Sequence, residues 1–383
     1  MSNDQSLSPK PQSVKIELAQ DSIFVASQWK LMWWKFRKHK PAIAGGIIIF
    51  LMYLIALFCE VLAPYSPTEF NKRYMLAPPQ RIRFVDQGRF QLRPFVYGIE
   101  GKRDPQTTRM IYTTDFGRKY PIRFFTHGIP YKLWGVFPSD IHLIGIDNVD
   151  GRGTLYLMGT DRMGRDMFSR LVYGARISMS IGLMGVALSF VLGIVIGGFT
   201  GYYGGIADML VQRVIEFIRA MPSIPLWMSL SAALPVEWPS VRVYFGITII
   251  LSLIGWTGLA RVVRSQFLAL REEDFVMAAQ LAGASEARIV FRHLVPAFLS
   301  HIIASITLSI PGMILSETSL SFLGLGIRPP AISWGVLLQE AQNLQAVAMA
   351  PWVLSPALFV VIVVLCFNFL GDGLRDAADP YSR

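Results

Sequence analysis

One loop of this 383-residue chain has residue types and spacing suited to docking a partner rather than to bond chemistry. In this docking loop, residues 264–296, Asp274 is predicted to cap a helix beginning at Phe275, because its carboxylate would accept hydrogen bonds from free backbone amides at the positive end of the helix. Ala278, Ala279 and Ala282 give that helix a face of low relief. The pattern predicts a short helix that another protein can approach closely.

The second half of the docking loop carries the signals of a turn followed by another helix. Gly283 suits the left-handed residue that commonly ends a helix, and Ser285 with Glu286 can begin a second helix. Pro296 then ends the loop at the membrane. The same residues are compatible with an amphipathic helix lying on lipid headgroups, so the pattern alone leaves both interpretations open.

Motifs that would indicate catalysis are missing from the sequence. The Gly101–Lys102 pair lacks the following Ser or Thr and the preceding glycine of a phosphate-binding loop, and neither H-E-x-x-H nor G-x-S-x-G occurs. The two cysteines, Cys59 and Cys366, support neither a disulfide framework nor a metal cluster. We therefore expect a protein that is not an enzyme and binds no cofactor or metal of its own.

The composition predicts an all-α polytopic membrane protein. Hydrophobic residues make up 52% of the chain and charged residues only 16%, well below the share of about 25% usual in soluble proteins. A membrane-spanning helix needs about 20 apolar residues. Six stretches qualify, the third of them weakened by Arg213, Glu216 and Arg219; they are 41–63, 177–203, 209–234, 244–260, 297–315 and 352–370.

The distribution of Lys and Arg predicts the orientation in the membrane. Lys35, Arg37, Lys38 and Lys40 directly precede the first span, which places the N-terminus in the cytoplasm, and an even number of spans places the C-terminus there too. The net charge of +10 then reflects contacts with the membrane surface and not with nucleic acid. The sequence predicts five segments. They are a cytoplasmic tail with an interfacial basic and Trp-containing segment (1–40), a first span (41–63), an extracytoplasmic insertion (64–170), a five-helix core (171–375) and a C-terminal tail (376–383).

The insertion departs from a simple loop in its length and pattern. Short alternating stretches at 89–97 and 109–125, interrupted by Gly and Pro, predict strands. We expect a small β-rich unit outside the cytoplasm, which either contacts a soluble partner or packs passively on the membrane-spanning part.

Two carboxylates near the spans are candidates for a pathway or gate. Glu216 lies three residues from both Arg213 and Arg219, a spacing that also favours a local ion pair. Glu317 follows the fifth span among serines and threonines, where it could line the outer mouth or simply face water at the membrane interface.

The docking loop and several other segments carry a family resemblance. Met277, Ala278, Ala279, Gly283 and Pro296 match the spacing of the E-A-A, then G, then L-P signature of permease subunits of binding-protein-dependent ABC importers. Met277 stands in place of the usual Glu, and Val295 in place of the usual Leu. The G-T-D-x-x-G-R-D segment at 159–166 resembles the dipeptide, oligopeptide and nickel branch of that family, as do the stretches 320–326 and 368–375.

This resemblance implies a subunit of the bacterial inner membrane with several partners. They are a second, homologous permease, two cytoplasmic ATPases that bind ATP and Mg, and a periplasmic solute-binding protein. Ala278, Ala279, Gly283 and Pro296 would belong to the element that couples to the ATPase. Peptides are the leading substrate, with nickel chelates, oligosaccharides and opines as alternatives within the family. A secondary transporter without ATPases is the alternative from another class, and it would need intramembrane carboxylates near the midplane.

Overall fold

The computed structural model describes residues 28–86, 88–106, 110–146 and 153–378. Most of the predicted N-terminal tail and the last five residues of the predicted C-terminal tail lie outside the described residues. Twelve helices are numbered here in chain order: α1 Gln28–Phe36, α2 Lys40–Leu57, α3 Cys59–Leu62, α4 Met167–Tyr203, α5 Gly205–Ala220, α6 Ser223–Ala232, α7 Ser240–Leu270, α8 Asp274–Leu281, α9 Leu299–Phe322, α10 Trp334–Glu340, α11 Leu344–Met349 and α12 Ser355–Ala378. Short helical turns, described below where they matter, occur between them.

Among the described residues, five helices are long and apolar enough to cross a membrane: α2, α4, α7, α9 and α12. They coincide with the first, second, fourth, fifth and sixth predicted spans. Helix α4 begins ten residues before the predicted start at Ile177 because Asp166 caps it, its side chain accepting a hydrogen bond of 2.7 Å from the Ser169 amide. Helix α2 begins at a similar cap, where His39 accepts from the Ala42 amide.

The third predicted span is interrupted. Met221 leaves the helical conformation (φ −82°, ψ 138°), and α6 starts only after Pro222. The ring of a proline disfavours a helical residue directly before it, so the expected kink becomes a complete break. Helices α5 and α6 contain 16 and 10 residues, and neither is long enough to span the bilayer alone.

Helices α4 and α7 are packed backbone to backbone. A Cβ atom on Gly197 would lie 2.4 Å from the Ala260 carbonyl oxygen, and one on Gly201 would lie 2.8 Å from that of Arg264. Small residues spaced four apart allow this approach, which is the usual way for helices to associate tightly inside a membrane. The two helices therefore form one rigid unit that ends at the docking loop.

The segment between α3 and α4 contains a four-stranded antiparallel sheet in the order β1–β2–β3–β4. The strands are β1 Arg83–Asp86, β2 Arg89–Arg103, β3 Met110–Leu133 and β4 Phe137–Ile146. Strand β3 pairs with β2 through its first half and with β4 through its second half. Strands β2 and β3 overlap the stretches in which strands were predicted and extend beyond them.

Candidate functional site

The helix predicted in the docking loop is α8, Asp274–Leu281. It begins one residue earlier than predicted, and its N-cap is Glu273, whose carbonyl accepts from the Val276 and Met277 amides at 2.9 and 3.2 Å. The prediction that Asp274 is the cap was wrong, since the described cap has no side-chain hydrogen bond. Asp274 lies instead in the first turn, where its negative charge still stabilises the helix.

The end of α8 is a glycine stop, as predicted. Gly283 has φ +75°, its amide donates to the Gln280 carbonyl at 2.9 Å, and the Ala284 amide donates to the Ala279 carbonyl at 3.0 Å. This pair of bonds is a Schellman motif, which satisfies the last carbonyls of the helix. A side chain at position 283 would strain that backbone, so glycine fixes both the length and the exit direction of α8.

The chain returns to the membrane through consecutive helical segments, which are interrupted at Phe298 (φ −118°, ψ 17°). Ser285 caps the first of these segments, its hydroxyl accepting from the Arg288 amide at 3.4 Å. One helical turn, a π-helical segment and another turn then lead into α9: Glu286–Arg288, Ile289–Leu294 and Val295–Ala297. Pro296 therefore lies in the last short turn before the spanning helix.

Helix α8 has one face fixed to the protein and one face open. Val276 is fully buried in a cluster with Phe267, Ile289 and Leu294, and Ala279 packs against the same cluster. On the open side, Ala278, Gly283 and three apolar residues are exposed: Phe275 by 42%, Met277 by 45% and Leu281 by 90%. The alanines predicted to share a low-relief face thus divide, Ala278 facing outward and Ala279 inward.

Polar contacts join the docking loop region to the ends of two spans. Arg264, near the end of α7, forms two hydrogen bonds of 2.5 Å to the carboxylate of Asp208 on α5. Tyr203, the last residue of α4, donates a 2.5 Å hydrogen bond to Glu286. These bonds link the docking loop region to α4, α5 and α7.

The G-T-D-x-x-G-R-D segment forms a compact turn before α4. The Asp161 carboxylate accepts from the amides of Met163 and Arg165 at 2.8 and 2.9 Å. Gly164 has φ +75°, and a Cβ there would meet the Asn71 carbonyl oxygen. Thr160 accepts from the Ala77 amide at 2.7 Å. The segment thus joins α4 to the strand-free region that precedes the sheet.

A buried charge cluster lies on that turn, and sequence reasoning missed two of its members. Arg170 is only 1% exposed, and its guanidinium lies 2.5 Å from the Asp161 carboxylate and 2.6 and 2.9 Å from that of Glu340. The Arg165 guanidinium contacts the same two carboxylates, Asp161 at 2.6 Å and Glu340 at 2.8 Å. Burial alone would raise the pKa of Glu340, but the hydrogen bonds and charges of the two arginines leave that pKa below its ordinary value. The sequence did carry one signal: Arg170 lies in the first turn of an apolar helix, where an arginine needs a partner of opposite charge.

The charge cluster borders a cavity of about 450 Å³ between α4, α10 and residues 75–76. Asp166, beside the cluster, is fully buried, and this burial raises its pKa to about 7. Its Oδ1 atom has no hydrogen-bond partner among the described residues. The carboxyl of Asp166 therefore titrates near neutral pH, well above the range of an exposed aspartate.

Glu317 corrects the prediction made for it. It lies inside α9, not past its end, and it is fully buried. Its carboxylate accepts from Ser178 of α4 at 3.1 Å and from Ser321 at 2.8 Å, and the Trp334 amide of α10 donates to the same Ser178 hydroxyl. The predicted water exposure was therefore wrong, because Ser178 of α4 and Ser321 of α9 enclose the carboxylate.

Glu216 has the local partner that its spacing suggested. Its carboxylate lies 2.8 Å from Arg213 in the same helix, α5, and both side chains are exposed. The structure does not bring Glu216 near Glu317. The two candidates for a pathway or gate therefore occupy different surroundings.

One face of α9 lines a second cavity, of about 240 Å³, with small and weakly polar residues. Ser309, Gly312 and Ser316 recur at intervals of three and four along the helix and border this cavity together with Ser189 of α4. The Ser309 and Ser316 hydroxyls donate to carbonyls four residues earlier at 2.8 and 2.7 Å. The face therefore offers partly satisfied hydroxyls and no charge.

Comparisons with known proteins identify the family to which the chain is similar. Residues 193–383 match the family described as binding-protein-dependent transport system inner membrane component, and residues 27–79 match the N-terminal TM domain of oligopeptide transport permease C. The dipeptide transport system permease protein DppC of Alkalihalophilus pseudofirmus is 40% identical over 61% of this chain and 75% of its own length. The oligopeptide transport system permease protein OppC of Haemophilus influenzae is 39% identical over 60% of this chain and 71% of its own. A solved chain of the MetNI methionine ABC transporter, in an inward-facing conformation, has a TM-score of 0.44 and 19% identity over 55% of this chain and 97% of that chain.

The spanning helices and the loop between α7 and α9 are those of a polytopic membrane transport subunit. The chain belongs to the family of binding-protein-dependent transport system inner membrane components. It is a permease subunit of an ABC transporter in the bacterial inner membrane. The sheet lies between the two matched ranges and in neither of them.

Proposed function

We propose that this permease forms half of a translocation pathway for peptides, with a second permease of the same family forming the other half. Two cytoplasmic ATPases would supply ATP hydrolysis with bound Mg, and an extracytoplasmic binding protein would deliver the solute. The names of the relatives, which are dipeptide and oligopeptide permeases, support the choice of peptides.

The observation that carries the proposal is the two-sided character of α8. Val276 anchors the helix in a buried cluster, while Leu281, 90% exposed, and Met277 are presented outward on the same short element. A protruding apolar surface at the end of the spanning helices is unfavourable in water and favours a protein partner. Lipid headgroups, the alternative that the sequence left open, would not require the glycine stop that fixes the direction of the helix.

Coupling follows from the way in which α8 is held. Because Arg264 pairs with Asp208 and Tyr203 with Glu286, movement of an ATPase that carries α8 would displace the ends of α4, α5 and α7 as a rigid body. Ala278 and Gly283 would then face the ATPase, while Ala279 and Pro296 would fix the loop to the permease. ATP binding would bias a pore between outward-facing and inward-facing states.

The solute pathway would run along the uncharged face of α9. Ser309, Gly312 and Ser316 make a poor lipid-facing surface but a suitable lining for solutes of varied side chains, because they offer hydrogen bonds without selecting a charge. Glu317 would act as a gate element that fixes α9 to α4 and α10, and not as a solute ligand. Glu216, paired with Arg213 in an exposed position, would have no contact with solute.

The proposed topology has six crossings. Helices α5 and α6 together would be about 39 Å long, enough for the third crossing despite the break at Pro222. Both termini would then lie in the cytoplasm, with the docking loop on the same side and the sheet outside. The interruption, with Pro225 in the first turn of α6, would give this crossing a hinge.

The test is purification of the tagged chain from its native membrane in mild detergent, followed by identification of the proteins and the ligand that accompany it. We expect two ATPases, a second permease and, when crosslinked, a binding protein that retains a peptide. Transport measured in vesicles would then require internal ATP. Uptake that persists without ATP but stops when ion gradients are collapsed would instead identify a secondary transporter, and a retained nickel chelate or sugar would correct the substrate alone.

A further inference from the structure

The hairpin between β3 and β4 ends against the end of the first spanning helix. The indole Nε1 of Trp134, at the hairpin tip, donates a 2.9 Å hydrogen bond to the carbonyl of Leu57, the last residue of α2. Its ring lies 5.9 Å from the ring of Phe58. The tip is therefore held at the height at which α2 ends.

A charged pair marks that height as the edge of the hydrocarbon layer. Arg176 of α4 donates to the carbonyls of Ala56 and Leu57 at 2.9 Å and forms two bonds of 2.5 Å with Glu60. From residue 177 to residue 203, α4 contains no charged side chain. Paired charges at the ends of two apolar helices occur where the membrane meets water, because a charge is costly deeper in the bilayer.

The hairpin tip exposes apolar side chains at the same place. Val136 is 68% exposed, Phe137 58% and Trp134 47%. The rings of Trp134 and Phe137 pack edge to face, with their centroids 6.3 Å apart. Trp134 also keeps a left-handed backbone, φ +52°, which is unfavourable for a residue other than glycine. The fold thus maintains a bulky aromatic residue where a glycine would be easier to place.

We propose that the hairpin tip, residues 134–137, is a membrane-interface anchor that inserts into the bilayer leaflet on the side of the sheet. Its apolar surface is continuous with exposed Leu57 and Phe58 and, through them, with the outer surface of the spanning helix α2. Trp at such a boundary is typical, since its ring is apolar and its N–H remains bonded. Lys132, exposed beside the tip, can reach lipid phosphate.

The anchor gives the sheet a fixed place on the permease. With the tip in lipid and Trp134 bonded to α2, the β3–β4 end of the sheet is restrained, while the β2–β3 end is held by the Tyr112 hydroxyl, which donates to the Met75 carbonyl at 2.6 Å. The source of the contact is lipid and not a second protein, because the surface continues the one that α2 already presents to the bilayer.

The experiment places a fluorophore at the tip. Val136→Cys is labelled with an environment-sensitive dye in the complete transporter, reconstituted in nanodiscs; the native Cys59 and Cys366 are buried. The matched control is Ile111→Cys, 54% exposed at the other end of β3. Quenching by lipid carrying a shallow nitroxide is compared with quenching by aqueous iodide.

We expect the ratio of lipid quenching to iodide quenching at position 136 to exceed that at position 111 by at least about fivefold, as for a group lying several ångströms within the headgroup boundary. Labelling at Phe137→Cys should give the same result. Equal ratios at the two ends of β3 would overturn the proposal. Shielding of position 136 from both quenchers would also overturn it, since a protein would then cover the tip.

Discussion

Leu281 provides the sharpest test of the docking helix. The change is Leu281→Ser, at the last residue of α8, where the side chain is 90% exposed and adds almost nothing to the packing of the isolated permease. The free energy of unfolding should therefore change by no more than about 0.5 kcal/mol. If a partner buries this side chain, its loss should weaken docking by roughly 1.5–3 kcal/mol, or about 10- to 150-fold in dissociation constant.

The assay is titration of the permease pair, held in nanodiscs, with its purified ATPase. Leu92→Ser is the matched control, because Leu92 is 89% exposed but lies on β2 of the sheet. A second comparison is Val276→Ala, which removes a buried contact under α8 and should cost about 1–3 kcal/mol of stability as well as docking. If Leu281→Ser binds the ATPase as tightly as Leu92→Ser does, the outward face of α8 is not the contact surface and the reasoning fails.

Three further changes address the other centres. The pKa of Asp166 is raised to about 7 from a usual value near 3.8, so the folded state loses stability as the pH rises between these values, by at most about 4 kcal/mol. The Asp166→Asn variant keeps a good helix cap but cannot titrate at this position. Its melting temperature should therefore depend less on pH between 5 and 8 than that of the parent protein. Arg170→Met leaves Glu340 without its main partner and should lower stability by about 3–5 kcal/mol, with partial recovery in Arg170→Met/Glu340→Leu, as measured by thermal unfolding in detergent. A Cβ atom added at Gly312 would meet no other atom within 4 Å, and replacing glycine by leucine adds roughly 0.5–1 kcal/mol of helix propensity. The Gly312→Leu variant should therefore fold and bind the ATPase normally, while its transport activity falls. Unchanged uptake would show that α9 does not line the pathway.

Local signals predicted the docking loop well because its structure is made of local contacts. The glycine stop at Gly283 and the cap at Ser285 depend on residues within five positions of each other, which a sequence displays directly. The error of one residue at Asp274 arose because a backbone carbonyl, that of Glu273, begins the helix without help from a side chain.

Long-range partners explain what the sequence did not reveal. Glu317 appeared to follow a span because Ser and Thr surround it, yet its neighbour Ser178 lies 139 positions away and makes a buried site of that polar segment. Glu340 and Arg170 are 170 positions apart, and neither position has a local pattern that identifies the other. At Pro222 the signal was present, but a proline in a membrane helix is compatible with either a kink or a break, and only the packing decides between them.

Helix α4 runs without interruption from the charge cluster at its first turn to Tyr203 beside the docking loop. Its 37 residues make a rod about 55 Å long. Such a rod acts as a lever: a tilt of about 5° about one end moves the other end by about 5 Å. If α4 pivots between its ends, a movement imposed on Tyr203 at the docking loop would displace the charge cluster at the first turn of α4 in the opposite sense.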